Sequence, residues 1–222
     1  MLYLISTPIG NLKDITLRAL EILNSVEIVL VESYQDSIKL LHHYQIKPAD
    51  IIVYNDSNRR RTTNNLLSLL QEKDAAYITS AGTPGISDPA ADLVKQCHEH
   101  GIQVVPIPGP SALSTAMAMS VCYGDFLFVG FFPRKQGPIK KIINEAKANN
   151  HNLVFFESTH RLSKTFELLN QNLPDAEVFL GKEMTKKFEQ YLYGRPADIL
   201  VKLQKEKNFT KGEFVIIIKA ND

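Results

Sequence analysis

The tightest constraint in this sequence is the loop Ser80-Ala81-Gly82-Thr83-Pro84-Gly85-Ile86-Ser87-Asp88-Pro89-Ala90. It follows an apolar run of strand type, Ala75 to Thr79, and precedes a helix-like run from Ala91 to His98. Glycine and proline at this spacing make a tight turn in which backbone can approach a ligand closely. Such a loop exposes N–H groups at the carboxyl end of a strand, where open α/β sheets place cofactors and phosphates. An ordinary strand-to-helix turn has a similar composition, so function has to rest on the rest of the chain.

Around the loop, short apolar runs alternate with helical patterns. Leu2 to Ile5, Val26 to Val31, Ile51 to Tyr54 and Gln103 to Ile107 read as further strands. Helices are expected after Asp14 as a cap, from about Ser37, after Thr62 or Thr63 as a cap, and from Ser111 to Ser120. Arg59-Arg60-Arg61 reads as a basic cluster in a polar loop. Strands alternating with helices indicate a mostly parallel sheet covered on both faces.

After Val121-Cys122-Tyr123-Gly124 the pattern changes. Phe126 to Phe132, Asn152 to Phe156, Val178 to Leu180, Glu189 to Tyr193 and Glu213 to Lys219 read as strands joined by both short and long connections. That mixture predicts a mixed sheet, hence two α/β domains at 1–122 and 123–222, with a ligand cleft between them. A chain of 222 residues with 44% hydrophobic residues suffices for two cores. A net charge of +1 argues against nonspecific coating of nucleic acid but leaves room for a local basic face. Cys97 and Cys122 lack metal-ligand spacing and are expected to be buried free thiols, as suits a reducing cytoplasm. No metal site, signal peptide or membrane span is expected.

Six stretches form a collinear set. They are T-P-I-G-N-L-K-D-I-T (Thr7 to Thr16), A-G-T-P-G-I-S-D-P (Ala81 to Pro89) and P-G-P-S-A (Pro108 to Ala112). Further on come G-F-F-P-R-K (Gly130 to Lys135), F-F-E-S-T-H-R-L (Phe155 to Leu162) and K-E-M-T-K-K-F-E (Lys182 to Glu189). The set resembles the ribosomal RNA small subunit methyltransferase I family of the tetrapyrrole methylase superfamily, over nearly the whole chain. The resemblance implies S-adenosylmethionine as methyl donor, a cytidine ribose 2′-hydroxyl of small-subunit (16S) ribosomal RNA as acceptor, and a cytoplasmic homodimer. Three departures stand out. Glu32-Ser33-Tyr34-Gln35 replaces the family's E-D-T-R, Thr79-Ser80-Ala81-Gly82-Thr83-Pro84 replaces S-D-A-G-T-P, and the basic extension of many members after the last strand is absent up to Asp222. Two alternatives therefore stay open: a small-molecule methyltransferase of the tetrapyrrole type, and a paralogue that binds RNA without methylating it.

Methyl transfer to a ribose hydroxyl demands alignment of acceptor and donor, and a route for the hydroxyl proton. On the resemblance, Pro8, Ser80, Ala81, Gly82, Pro84, Gly85, Ile86, Ser111 and Ala112 hold the donor. Glu157, His160 and Arg161 are the catalytic candidates, since Glu157 ends a strand and the other two open a helix. Glu157 or His160 would take the proton and Arg161 would hold a phosphate. Lys135, Lys182, Glu183 and Lys186 come next. RNA contacts are expected among Arg59 to Arg61, Arg134-Lys135, Lys140-Lys141 and Lys186-Lys187, with stacking on Tyr34, Phe131 or Phe132. Each of these groups also has a purely structural reading: a helix cap, a core ring or a solvated charge.

Overall fold

The computed structural model of the protein describes residues 1–220. By internal packing the chain divides into Met1–Ser111 and a second unit beginning at Ala112.

The first unit runs β1 (Leu2–Ile5), α1 (Leu17–Ser25), β2 (Ile28–Val31), α2 (Tyr34–His43), β3 (Asp50–Val53), α3 (Arg59–Glu72), β4 (Ala75–Ile78), α4 (Ala90–Glu99) and β5 (Val104–Ile107). Its sheet has the order β3-β2-β4-β1-β5, and every pairing is parallel. All residues of β2 and β4 are buried, which explains why these strands are continuously apolar rather than alternating. Ala19 and Leu23 of α1 and Leu40 and Leu41 of α2 share one core with Ile5, Val29 and Ile78. Leu66 and Leu70 of α3 and Leu93 and Cys97 of α4 share another with Leu2, Leu30 and Tyr77. Helices thus cover both faces. Pro106 lies in β5, an edge strand, where a missing N–H removes no ladder bond on the open side.

The second unit runs α5 (Ala112–Met119), β6 (Phe126–Phe131), α6 (Gln136–Ala148), β7 (Asn152–Ser158), α7 (Leu162–Asn172), β8 (Val178–Lys182), β9 (Gln190–Gly194), α8 (Pro196–Lys205) and β10 (Glu213–Ile218). Its sheet is mixed. In the order β6-β7-β10-β8-β9, β6 and β7 are parallel and the other neighbours antiparallel. Ile139 and Ile143 of α6, Phe166 and Leu169 of α7 and Ile199 and Leu203 of α8 form its core with Phe155, Leu180 and Ile216. Each fully buried leucine, isoleucine or phenylalanine contributes roughly 1.5–3 kcal/mol, so this half has its own source of stability.

Local boundaries differ from the sequence reading in instructive ways. Thr16, not Asp14, caps α1: its hydroxyl accepts the Ala19 N–H at 3.1 Å, while Asp14 sits in a preceding 3-10 turn. Arg59 to Arg61 form the first turn of α3 rather than a loop, because Asn55 and Asn58 close the turn ahead of it. Asn58 accepts the Asn55 N–H at 2.9 Å, and the Asn55 carbonyl takes the Arg59 N–H. Helix α5 packs against β10 and goes with the second unit, whereas a boundary at 122/123 would leave it with the first. Cys97 is buried, Cys122 half-buried, and both are free thiols whose pKa burial pushes up. Among the described residues no helix is long and apolar enough to cross a membrane, and no group of three His, Cys, Asp or Glu side chains could hold a metal ion.

Candidate functional site

In the first unit, the loops after β1, β4 and β5 meet at the carboxyl end of the parallel sheet. Thr7 and Gly82 form a two-way backbone bridge, with N–H to carbonyl distances of 2.9 and 3.0 Å. The Thr7 hydroxyl donates to the Thr79 carbonyl, and the Thr79 hydroxyl donates to the Gly82 carbonyl. Ser6 donates to Thr83 Oγ1 at 3.1 Å, and Thr83 donates onward to the Pro110 carbonyl at 3.1 Å. One hydroxyl chain therefore ties T-P-I-G-N to A-G-T-P-G and to P-G-P-S.

Glycine is required at two points of this cradle. Gly82 has φ +83°, a conformation that costs an L-residue roughly 1–2 kcal/mol. A Cβ on Gly109 would lie 3.1 Å from Ser6 Cβ, so a side chain there would press β5's loop off β1's.

Two carboxylates brace the loop, one from outside it and one from within. Glu32, at the end of β2, accepts the Ser80 N–H at 3.0 Å. Asp88 accepts the Gly85 N–H at 2.8 Å and the Ala90 N–H at 2.9 Å, tying the loop to the start of α4. Burial raises the Asp88 pKa against these N–H groups. Burial also raises the pKa of Tyr77, with Asp88 and Glu32 adding to the shift; its hydroxyl is buried with no partner among the described residues. Pro8, Gly82 and Pro84 are buried, while Ser80, Ala81, Gly85 and Ile86 are exposed; Ser111 and Ala112 lie between. The exposed members form the accessible lip, and the buried ones fix it.

In the second unit, the three downstream motifs meet at one end of the mixed sheet. Phe214 of β10 pairs with Glu157 of β7 on one side and Lys182 of β8 on the other, which brings E-S-T-H-R and K-E-M-T-K within two strand spacings, about 10 Å. The Glu157 side chain is wholly buried. It accepts the Ser158 N–H at 2.7 Å and the Thr165 hydroxyl at 2.5 Å, and Arg161 Nη2 lies 3.3 Å away. The same Arg161 nitrogen donates to the carbonyls of Phe132 at 2.5 Å and Pro133 at 3.1 Å. Arg161 thereby links G-F-F-P-R-K to E-S-T-H-R. Thr159 donates to the Gly212 carbonyl and accepts the Gly212 N–H.

The turn after β8 holds unusual backbone. Glu183 and Thr185, neither a glycine, have φ of 48° and 66°. Such positions cost about 1–3 kcal/mol each and persist only where their surroundings fix them. Here Glu183 accepts the Glu213 N–H at 2.9 Å, Lys186 bridges Glu183 and Glu213 at 2.9 Å each, and Glu189 accepts the Thr185 N–H at 2.8 Å. Burial alone would raise the Glu183 pKa, but Lys186 and the Glu213 N–H bring it below its usual value.

The sequence-based candidates sort accordingly. Lys135, Glu157, His160, Arg161 and Glu183 gather at this end of the second sheet, Lys135 and His160 exposed and Glu157 enclosed. An enclosed carboxylate with three protein partners is poorly placed to take a substrate proton; its observed work is to fix Arg161 and α7. Phe132 is core, stacked on Phe155 at 4.1 Å, because its side chain joins the helix-covered face. Phe131 is 58% exposed and remains available for stacking. Arg59 pairs with Asp56 and Asp92, leaving Arg60 and Arg61 as the exposed pair. Sequence reasoning missed Glu32, Asp88, Ser6 and Thr83, whose signal was only a polar residue next to a glycine-bearing strand end.

Residues 1–199 match the profile of the family described as Tetrapyrrole (Corrin/Porphyrin) Methylases. The ribosomal RNA small subunit methyltransferase I of Thermotoga maritima is 37% identical, the match covering 100% of this chain and 99% of that protein. The chain belongs to the ribosomal RNA small subunit methyltransferase I family. Other members include the Leptospira biflexa protein, 36% identical over 98% of this chain and 90% of its own length, and the Escherichia coli O157:H7 protein, 38% identical over 99% and 78%. Among solved structures, a diphthine synthase superposes with a TM-score of 0.78 over 99% of this chain and 89% of that one, at 14% identity. That likeness shows the tetrapyrrole-methylase fold.

Proposed function

We propose that this chain is an S-adenosylmethionine-dependent methyltransferase that methylates the ribose 2′-hydroxyl of a cytidine in small-subunit ribosomal RNA, acting as a cytoplasmic homodimer. The observation that carries the reading is the folding of six collinear motifs into two clusters, each at one end of one sheet. The names of the relatives support the acceptor class.

The first cluster suits the donor. The loops approach closely at Gly82 and Gly109, and Ser80, Ala81, Gly85 and Ile86 form an exposed lip whose backbone would hold the nucleoside in this reading. Ile86, 42% exposed, offers an apolar contact, and in this reading Ser111 adds to the wall while buried Pro8 and Pro84 fix the loops behind it. When bound, S-adenosylmethionine supplies an electrophilic methyl group on a sulfonium that departs as a neutral thioether.

The second cluster suits the acceptor. Arg161 keeps 23% of its side chain exposed and is fixed by two carbonyls and Glu157, so it presents a positive charge at a defined place. In this reading Arg161 and Lys135 hold phosphate, Glu157 is a positioning residue, and exposed His160 takes the hydroxyl proton. Glu183 braces the strained turn. Incubation with S-adenosylmethionine and small ribosomal subunits, followed by alkaline hydrolysis, tests the chemistry. A 2′-O-methyl group blocks cleavage at its own linkage, so one new alkali-resistant dinucleotide containing cytidine is expected; methyl on a base would leave every linkage labile and refute the assignment.

A further inference from the structure

Resting on the RNA-methyltransferase reading, we propose that a depression at the same end of the second sheet binds a single-stranded nucleotide flanking the modified one. The depression has a volume of about 910 Å³ and is lined by the ends of β8, β9 and α8 and by the start of β10. That is ample for one nucleotide.

Its chemistry is that of a single-strand subsite. Phe188 projects into it with 68% of its surface exposed, and Lys187 Nζ lies 5.4 Å from its ring centroid. Lys205 and Lys211 are exposed on the lining and make no ion pair among the described residues. Lys182 is buried beside them, its ammonium 4.7 Å from the Phe209 ring centroid. Of the two acids in the lining, Glu183 is engaged by Lys186 and the Glu213 N–H, which leaves Glu206 against the two exposed lysines, Lys205 and Lys211. A positive lining around an exposed ring is how proteins hold single strands, with phosphates on lysine and a base on the aromatic face. The Gln190 amide adds a donor and an acceptor for a base edge. An acidic peptide would use the lysines but not the flat ring.

Position favours a flanking nucleotide over an unrelated ligand. Lys182 faces Glu157 across Phe214, so the depression opens at the sheet end that carries Arg161 and His160. The backbone separation of about 10 Å is the span of one or two nucleotides of a splayed strand.

The test compares wild type with Phe188→Ala and with Lys205→Ala/Lys211→Ala, all exposed positions outside the proposed catalytic groups. Two readouts are taken: KM and kcat for methylation of small ribosomal subunits, and anisotropy of a fluorescent mixed-sequence oligoribonucleotide. Both variants should raise KM and weaken oligonucleotide binding about tenfold, with kcat and S-adenosylmethionine affinity unchanged. The double variant should also flatten the log–log salt dependence of binding by about 1.4. Wild-type KM and binding in the variants would overturn the subsite while leaving the methyltransferase reading intact. If wild type methylates no RNA, the functional reading fails, and the oligonucleotide arm still decides whether this surface holds a single strand.

Discussion

The Glu32 carboxylate accepts the backbone N–H of Ser80 at 3.0 Å, joining the end of β2 to the glycine loop after β4. Both residues lie in stretches that depart from the family pattern, E-S-Y-Q and T-S-A-G-T-P. The acid that is kept, Glu32, ties down the backbone at the position where the family's second acid would stand. Glu32→Ala should loosen the loop lip without unfolding the sheet. A partly exposed bond of this type contributes about 0.5–1.5 kcal/mol, so S-adenosylmethionine affinity should fall roughly two- to tenfold by calorimetric titration. Wild-type affinity in this variant would show that the bond does not shape the donor site.

The glycines of the cradle should behave differently from each other. Gly82→Ala must hold an L-residue at φ +83° and should lose about 1–2 kcal/mol of stability along with donor binding. Gly109→Ala brings a Cβ to 3.1 Å from Ser6 and should mainly weaken donor binding by shifting the β5 loop. Denaturant unfolding with parallel titrations separates the two effects. Equal stability of Gly82→Ala and wild type would contradict the bridge between Thr7 and Gly82.

Glu157 separates a positioning role from a catalytic one. Glu157→Ala strips the buried partner from Thr165, the Ser158 N–H and Arg161, and should cost about 2–4 kcal/mol of stability. Glu157→Gln keeps most of the hydrogen bonds, so it should retain the fold and a large share of the methyl-transfer rate. A well-folded Glu157→Gln protein that binds donor and RNA normally yet transfers no methyl group would instead make Glu157 the proton acceptor.

The brace on the strained turn is pH-dependent. For Glu183, burial is outweighed by Lys186 and the Glu213 N–H, so its folded pKa lies below the usual 4.5. Its stabilisation is therefore present above that value and is lost as pH falls through the folded pKa. For Lys186, burial is outweighed by Glu183 and Glu213, so its folded pKa lies above the usual 10.5. Its stabilisation holds below 10.5 and is lost as pH rises through the folded value. Unfolding free energies measured from pH 5 down to 3 should fall more steeply for wild type than for Glu183→Gln. Parallel slopes would mean that the ion pair contributes nothing to the turn.

The parallel sheet was legible because β2 and β4 are buried on both faces, and such strands read as unbroken apolar runs. The mixed sheet showed in its uneven connections. What stayed hidden were contacts between residues distant in sequence. Nothing local to Glu32 indicates that it accepts the Ser80 N–H, and nothing local to Thr83 points to Pro110. Glu157 and Arg161 stood out as reactive types, but burial of the carboxylate depends on α7 packing over β7, which spacing does not reveal. Phe131 and Phe132 differ only in the face of the sheet they take; one is 58% exposed and the other 1%. The left-handed Glu183 and Thr185 carry no sequence signal, since neither is a glycine.

Transfer of labelled methyl from S-adenosylmethionine to small ribosomal subunits, with naked small-subunit RNA and no acceptor as controls, bears most directly on the proposed function. Label should enter the RNA with wild-type protein, and Arg161→Ala should lose most of the rate while still binding the donor in calorimetry. Donor binding without label in the RNA, from a wild-type protein that is folded and dimeric, would contradict the assignment and leave the acceptor to be sought among small molecules.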